Sequence, residues 1–292
     1  DLAMVGLPLE VLTIDTNHAL VKKATMTWQK YTKPAHNGTN TVDQSYYIRA
    51  TKEKEELFFN GSPNVVSETT NSYNAYGLKT ASTSIDSKGK SVKQEITYAY
   101  QQYPFVNDKN MLAFPYQTIS KINNVIVNVE QSKWLSDNGK VYINENWSGP
   151  SSSTLRLNSK ISKVESTTGN VLESNNGKGL YSAVLFGYDN LYEVATISNA
   201  KYQDIVDQLD VTYAQLQALS SASLKTELLK LYSRLPNAAI SLSFYDNNGR
   251  VTSRINNRQE ESFVYYDTLG RKDYITDAQG KVLEKKNYHF AN

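Results

Sequence analysis

Tyr245-Asp246-Asn247-Asn248-Gly249-Arg250 and Tyr266-Asp267-Thr268-Leu269-Gly270-Arg271 are one turn written twice, 21 residues apart, and a reduced third copy follows at Asp277-Ala278-Gln279-Gly280-Lys281. Each copy runs into residues of strand character, so the interval is that of successive β-hairpins and not of a helical repeat. In such a turn the Asp side chain caps a type I turn, and Gly takes the left-handed position from which the chain returns with a bulge. Asp246, Gly249, Asp267, Gly270, Asp277 and Gly280 are therefore read as structural turn residues. A calcium loop would draw on the same Asp and Asn oxygens, but it needs more alternating oxygens and a closing Glu, which these turns lack.

The same punctuation extends upstream, at Asp86-Ser87-Lys88-Gly89-Lys90, Asp137-Asn138-Gly139-Lys140-Val141 and Thr168-Gly169-Asn170-Val171. Between the turns lie short runs such as Leu20 to Trp28, Lys93 to Tyr100, Tyr116 to Ile122 and Ser159 to Glu165, the spacing of an antiparallel all-β structure. A longer repeat overlies them. Met4-Val5-Gly6-Leu7-Pro8-Leu9-Glu10 is echoed by Met111-Leu112-Ala113-Phe114-Pro115-Tyr116-Gln117, and both continue to a Trp, Trp28 or Trp134, 20 and 19 residues after the Pro. Tyr98, Tyr100, Tyr103 and Pro104 precede the second copy, and further repeats are expected upstream of the first. One stretch reads as helix. Tyr202, Ile205, Val206 and Leu209 have helical spacing behind Asn199 as a cap, Leu216 to Leu235 continue the pattern after a break, and Pro236 ends it.

Composition sets the limits. The 292 residues carry 31 Lys plus Arg against 29 Asp plus Glu, a net charge of +2 that gives no general attraction to nucleic acid or anionic membrane. The 21 Tyr against 8 Phe suit half-exposed sheet faces where the ring packs and the hydroxyl stays wet. There is no Cys, hence no disulfide, thiolate nucleophile or Cys metal site, and no apolar run long enough to span a membrane as a helix.

Catalytic patterns are thin. His18, His36 and His289 fall in no metal-binding spacing, and no nucleophile elbow, phosphate loop or dinucleotide fingerprint is present. Glu53, Glu55, Glu56, Glu260 and Glu261 sit among Lys or Gln and read as solvated charges. Arg250, Arg254 and Arg258, with Arg271 nearby, would share a face on an uninterrupted strand and form a candidate surface for acidic glycans or phosphate, unless Asn256-Asn257 turns the chain between them. Tyr46-Tyr47, Tyr98-Tyr100-Tyr103 and Tyr265-Tyr266 could stack sugar rings, although alternating Tyr on a strand ordinarily serves cross-strand packing.

With these residues in view, the Tyr-Asp-x-x-Gly-Arg pairs resemble the YD repeat of the Rhs family, and the region 181–292 is similar to Rhs-like proteins of Bacteroidetes. Phe186-Gly187-Tyr188-Asp189, Val194 to Ala200, the helices, Leu235-Pro236-Asn237-Ala238 and Lys285 to Phe290 follow in the same order. The resemblance implies an exported, surface or outer-membrane-associated protein whose repeats wind a sheet into a strip or shell. The resulting expectation is a mainly β fold of antiparallel hairpin repeats in a twisted or curled sheet, with a helical insert at about 200–235. Its repeat units are 1–107, 108–180 and 181–292. The expected role is a non-catalytic scaffold or interaction module without cofactor or metal, with a protein partner at the cell surface and a glycan as a second candidate ligand. The alternatives are the shell portion of a secreted polymorphic toxin or its delivery protein, and a carbohydrate-binding adhesin.

Overall fold

The computed structural model describes residues 5–32, 46–59 and 61–288. The fold is mainly antiparallel β with a few short helices, as the turn spacing predicts. The chain forms two compact units, Asp1–Ser136 with Val141–Leu157, and Asp137–Lys140 with Asn158–Asn292. This division follows packing, whereas boundaries near 107 and 180 follow sequence copies.

The first unit contains β1 (Glu10–Ile14), β2 (Leu20–Thr32), β3 (Tyr46–Phe59), β4 (Ser62–Tyr73), β5 (Lys79–Ile85) and β6 (Ser91–Tyr98). A 3-10 turn (Ala99–Gln101) and α1 (Pro104–Asp108) follow, then β7 (Pro115–Ile122), β8 (Val125–Asp137) and β9 (Lys140–Gly149). From β1 to β8 each strand pairs antiparallel with the next. β8 and β9 meet at Asn138 (φ 47°) and Gly139 (φ 75°), both left-handed. That is a two-residue hairpin turn, not the bulged Asp turn expected there, because Asn-Gly supplies both positive φ angles directly. The buried cluster here is small: Ala99, Val106 and Trp134, with Tyr103, Phe105 and Tyr116 packed around it.

The second unit contains β10 (Arg156–Val164), β11 (Val171–Asn175), β12 (Tyr181–Gly187) and β13 (Tyr192–Ser198). Four short helices follow, α2 (Tyr202–Val206), α3 (Tyr213–Gln217), α4 (Ser221–Leu229) and α5 (Leu231–Arg234). Then come β14 (Ala239–Tyr245), β15 (Val251–Ile255), β16 (Glu261–Tyr266), β17 (Lys272–Asp277) and β18 (Val282–Lys285), again paired in sequence order. Strand alternation gives this sheet two unlike faces. On one, Ala183, Ile197 and Ile240 stand in a row, as do Leu185, Ala195, Leu242 and Ile255, and the helices bury this face with Ile205, Leu216, Leu224, Leu228 and Leu231. On the other, Ser182 faces Ser198, Thr196 faces Ser241, and Ser243, Arg254, Ser262 and Asp277 form a cross-strand row.

One local expectation is corrected. Asn199 does not cap α2, whose N-cap is Lys201. It is itself left-handed (φ 65°), and its Nδ2 donates to Asn237 O at 2.9 Å, tying the exit of the strands to the return into β14 across the whole helical excursion. The caps fall later, at Thr212, whose side chain and Gln215 form a reciprocal capping box, and at Ser220.

Candidate functional site

The turn residues form a lock. Asp246 Oδ1 accepts the N–H groups of Asn248 and Arg250, both at 2.9 Å, and Gly249 (φ 75°) donates its N–H to Asp246 O. Asp267 does the same with Leu269, Arg271 and Gly270 (φ 77°), and Asp277 with Gln279, Lys281 and Gly280 (φ 81°). In the two full copies Oδ2 binds the guanidinium: Arg250 Nε at 2.8 Å from Asp246, and Arg271 Nε at 2.8 Å from Asp267. The Arg250 backbone N–H first, then its guanidinium and the Asn248 N–H, hold the Asp246 carboxyl below the usual carboxylate range, and Arg271 acts likewise on Asp267.

Each guanidinium is then covered by a tyrosine one repeat later. Arg250 lies over the Tyr266 ring at 5.0 Å and Arg271 over the Tyr288 ring at 4.4 Å. The hydroxyl of Tyr266 donates to Val251 O at 3.0 Å, and that of Tyr288 to Lys272 O at 2.7 Å, in both cases the carbonyl next after the Arg. Asp, Arg and Tyr of successive repeats are thus mutually engaged.

The four arginines of the predicted surface differ in what they engage. Arg250 and Arg271 belong to the lock. Arg254 lies mid-strand on β15, and Arg258 sits in the turn beyond it, where Asn256 Oδ1 accepts the Arg258 and Glu260 N–H groups. Arg254 and Arg258 are exposed and make no side-chain hydrogen bond or ion pair with another described residue. Among the described residues Arg254 is the one cation lining a hollow of about 920 Å³ in the second unit, beside Ser241, Ser243, Glu260, Glu261, Ser262 and Asp277. A polyanion entering it would meet three carboxylates, Glu260, Glu261 and Asp277, for one guanidinium; a hydroxyl-rich chain would meet hydrogen-bonding groups interspersed with Leu242, Ile255 and Leu283.

The acidic candidates are dispersed. Glu55 pairs with Lys22 at 2.7 Å, Glu56 with Lys54 at 2.8 Å and Glu261 with Lys225 at 2.6 Å; Glu260 accepts from Asn256 Nδ2, and Glu53 is exposed on β3. His18 occupies a left-handed turn position (φ 63°), and His36 and His289 lie outside the described residues. Among the described residues no cluster of three or more His, Asp or Glu is placed to hold a metal, and no helix is long and apolar enough to cross a membrane. Of the tyrosines, Tyr98 is buried and donates to Lys79 O, Tyr100 packs edge-on against Tyr76, and Tyr103 against Tyr116. Tyr265 remains exposed, stacked on Tyr274 at 4.5 Å.

Sequence reasoning missed the turn between β12 and β13. Tyr188, Asp189 and Asn190 are consecutively left-handed (φ 52°, 56° and 69°), an arrangement costly for residues with a Cβ. Its anchors are distant in sequence: Asp189 N–H donates to Gln217 O, and Tyr188 Oη accepts the Tyr245 N–H at 3.0 Å. Tyr188, Tyr192 and Tyr245 form an aromatic triangle with centroids 4.8 to 5.9 Å apart. The Tyr188-Asp189 pair was visible in the sequence, but its partners were not.

No protein-family model and no curated protein matches the chain. Among solved structures, a crystal structure of TcdB2-TccC3-Cdc42 is similar over 95% of this chain and 19% of its own, at 9% identity and a TM-score of 0.35. The Photorhabdus luminescens Tc holotoxin pore is similar at 8% identity and a TM-score of 0.33, again over 95% of this chain and 19% of that one. A porin-like protein from Bacteroides uniformis is similar at 11% identity and a TM-score of 0.23, over 92% and 87% of the two chains. The chain therefore spans about a fifth of the length of the toxin chains it resembles, and likenesses of this size say nothing of what it binds.

Proposed function

We propose that the chain is a non-catalytic scaffold and interaction module of an exported, Rhs-like cell-surface protein that works within an outer-membrane complex. The observation that carries this reading is the lock itself. The Asp, Arg and Tyr side chains that recur with the repeat bind one another and the backbone, so the repeated chemistry is that of a frame. A carbohydrate-binding role is the second reading, favoured by the hollow around Arg254, where Ser241, Ser243 and Ser262 offer hydroxyls, and by the exposed Tyr265 stacked on Tyr274. The test is to label intact host cells with a membrane-impermeant amine reagent, then isolate the intact protein under mild detergent. Surface labelling and recovery in fixed stoichiometry with another envelope protein are the expected outcome. An unlabelled protein recovered from the cytosol overturns the proposal, and a labelled protein that is retained on glycans but has no protein partner favours the second reading.

A further inference from the structure

β1 and β2 repeat β7 and β8 in pairing as well as in sequence. Glu10 stands opposite Thr25 and Gln117 opposite Gln131, each pair two residues after the Pro and three before the Trp of its own copy. In both copies the Trp returns to the residues around the Pro: Trp28 Nε1 donates to Pro8 O at 2.8 Å, and Trp134 meets Phe114 edge-on at 5.4 Å.

The second copy is covered. β6 pairs along β7 from Val92 opposite Ile122 to Tyr98 opposite Pro115, the chain turns through Ala99–Gln101 into α1, and Ala99, Tyr103, Phe105 and Val106 close over Trp134, which is 6% exposed. The first copy is bare. Among the described residues β1 pairs with β2 alone, and all five of its residues are exposed, Val11, Leu12 and Ile14 included. Leu9, in the place of Tyr116, is 68% exposed, and Leu7, Leu9, Met26 and Trp28 line an open hollow of about 420 Å³. Between Glu10, which pairs with Lys23 at 2.7 Å, and the register shift at Thr13/Ile14, β1 presents an uncharged and uncovered stretch of edge, and such an edge is a template for another strand.

We infer that the β1 edge is a strand-addition site whose occupant is one further repeat segment of the type Ser91–Asp108, a β-strand ending in an aromatic turn that seats on Leu7, Leu9 and Trp28. The occupant is identified by what covers the equivalent place in the same chain. A second copy cannot supply it in its folded form, because there β6 is already held between β5 and β7. The inference does not depend on where the protein resides.

The probe is a synthetic peptide of residues 91–110, added to the protein and followed by amide hydrogen exchange. Expected are protection at residues 7–14 and loss of about tenfold in affinity, both for a peptide with Tyr98, Tyr103 and Phe105 replaced by Ser and for the Leu9→Asp protein. Leu9 is exposed, so that variant keeps its fold, checked by unchanged exchange in β3–β5. Absence of protection at ~1 mM peptide, equal protection by the Ser peptide, or protection confined to β6 and β7 overturns the inference. So does self-association abolished by Leu9→Asp that the peptide does not compete with.

Discussion

One residue position decides most of the turns. In eight of them, beginning at Asp15, Asn74, Asp86, Asn176, Asp246, Asn256, Asp267 and Asp277, a side-chain oxygen accepts the N–H groups two and four residues on, and the residue three on is left-handed. Gly249 and Gly280 hold the same conformation in unlike surroundings. A Cβ on Gly249 would meet the Tyr192 hydroxyl and lie 2.8 Å from Cζ, whereas one on Gly280 has nothing within 4 Å. Gly280→Ala is expected to cost about 1 kcal/mol from left-handed strain alone, and Gly249→Ala about 2–4 kcal/mol with overpacking added. Equal melting losses would remove Tyr192 from the account. The turns at Asp86, Asp246, Asp267 and Asp277 were legible because Asp and Gly occur together, and the one at Asn256 from the Asn256-Asn257 pair; the one at Asp15 was not, because His18 takes the left-handed place on which the pattern depends. Glu165 caps the turn expected at Thr168-Gly169, where the Thr168 and then the Thr167 N–H lower its carboxyl pKa to about 2. A depressed pKa means that the unfolded chain binds more protons at low pH, so this contribution is whole above the ordinary carboxylate pKa near ~4 and is lost as pH falls through about 2. Glu165→Gln should be less stable at pH 7 and lose less on acidification over that window, read from urea midpoints. A parallel decline of variant and parent would show that Glu165 does not titrate with folding.

At the scale of elements, the helical insert shows what periodicity can and cannot reveal. Tyr202, Ile205, Leu216, Leu224, Leu228 and Leu231 are all buried, so the apolar stripe was legible and packs on the sheet as expected. The longer polar ties were not, since they join residues distant in sequence. Glu227, 5% exposed, accepts from the Asp210 N–H and Lys230 Nζ, and the Tyr213 hydroxyl accepts the buried Phe186 N–H at 3.0 Å. Leu228→Ala should cost about 2–5 kcal/mol as a core truncation. Tyr213→Phe removes one oxygen and leaves the Phe186 N–H without an acceptor, for about 1–3 kcal/mol. If urea unfolding found Tyr213→Phe neutral, water would be reaching that N–H and the insert would be packed more loosely over β12.

For the molecule as a whole, the two units hold their strands by different means, and that difference is measurable within each. Among the described residues, the buried apolar ones of the first unit are Ala24, Tyr98, Ala99, Val106, Val129 and Trp134, whereas a continuous cluster from Leu172 to Ile255 fills the second. Along β2, β3 and β4 the first unit also carries the exposed ion pairs Lys22–Glu55 and Lys52–Glu68 and the part-buried pair Lys54–Glu56. Pairs of this kind contribute about 0–1 kcal/mol each and weaken as salt shortens the Debye length. Apolar burial is not screened in that way. Amides of β12–β14 are therefore expected to exchange most slowly, through openings close to global unfolding, while those of β3 and β4 open at lower free energy. Raising sodium chloride to ~1 M, where screening acts within about 3 Å, should accelerate exchange in β3 and β4 and leave β13 and β14 nearly unchanged. Uniform protection across both units, or acceleration confined to β13 and β14, would mean that backbone pairing and not side-chain burial sets the local stability of these sheets.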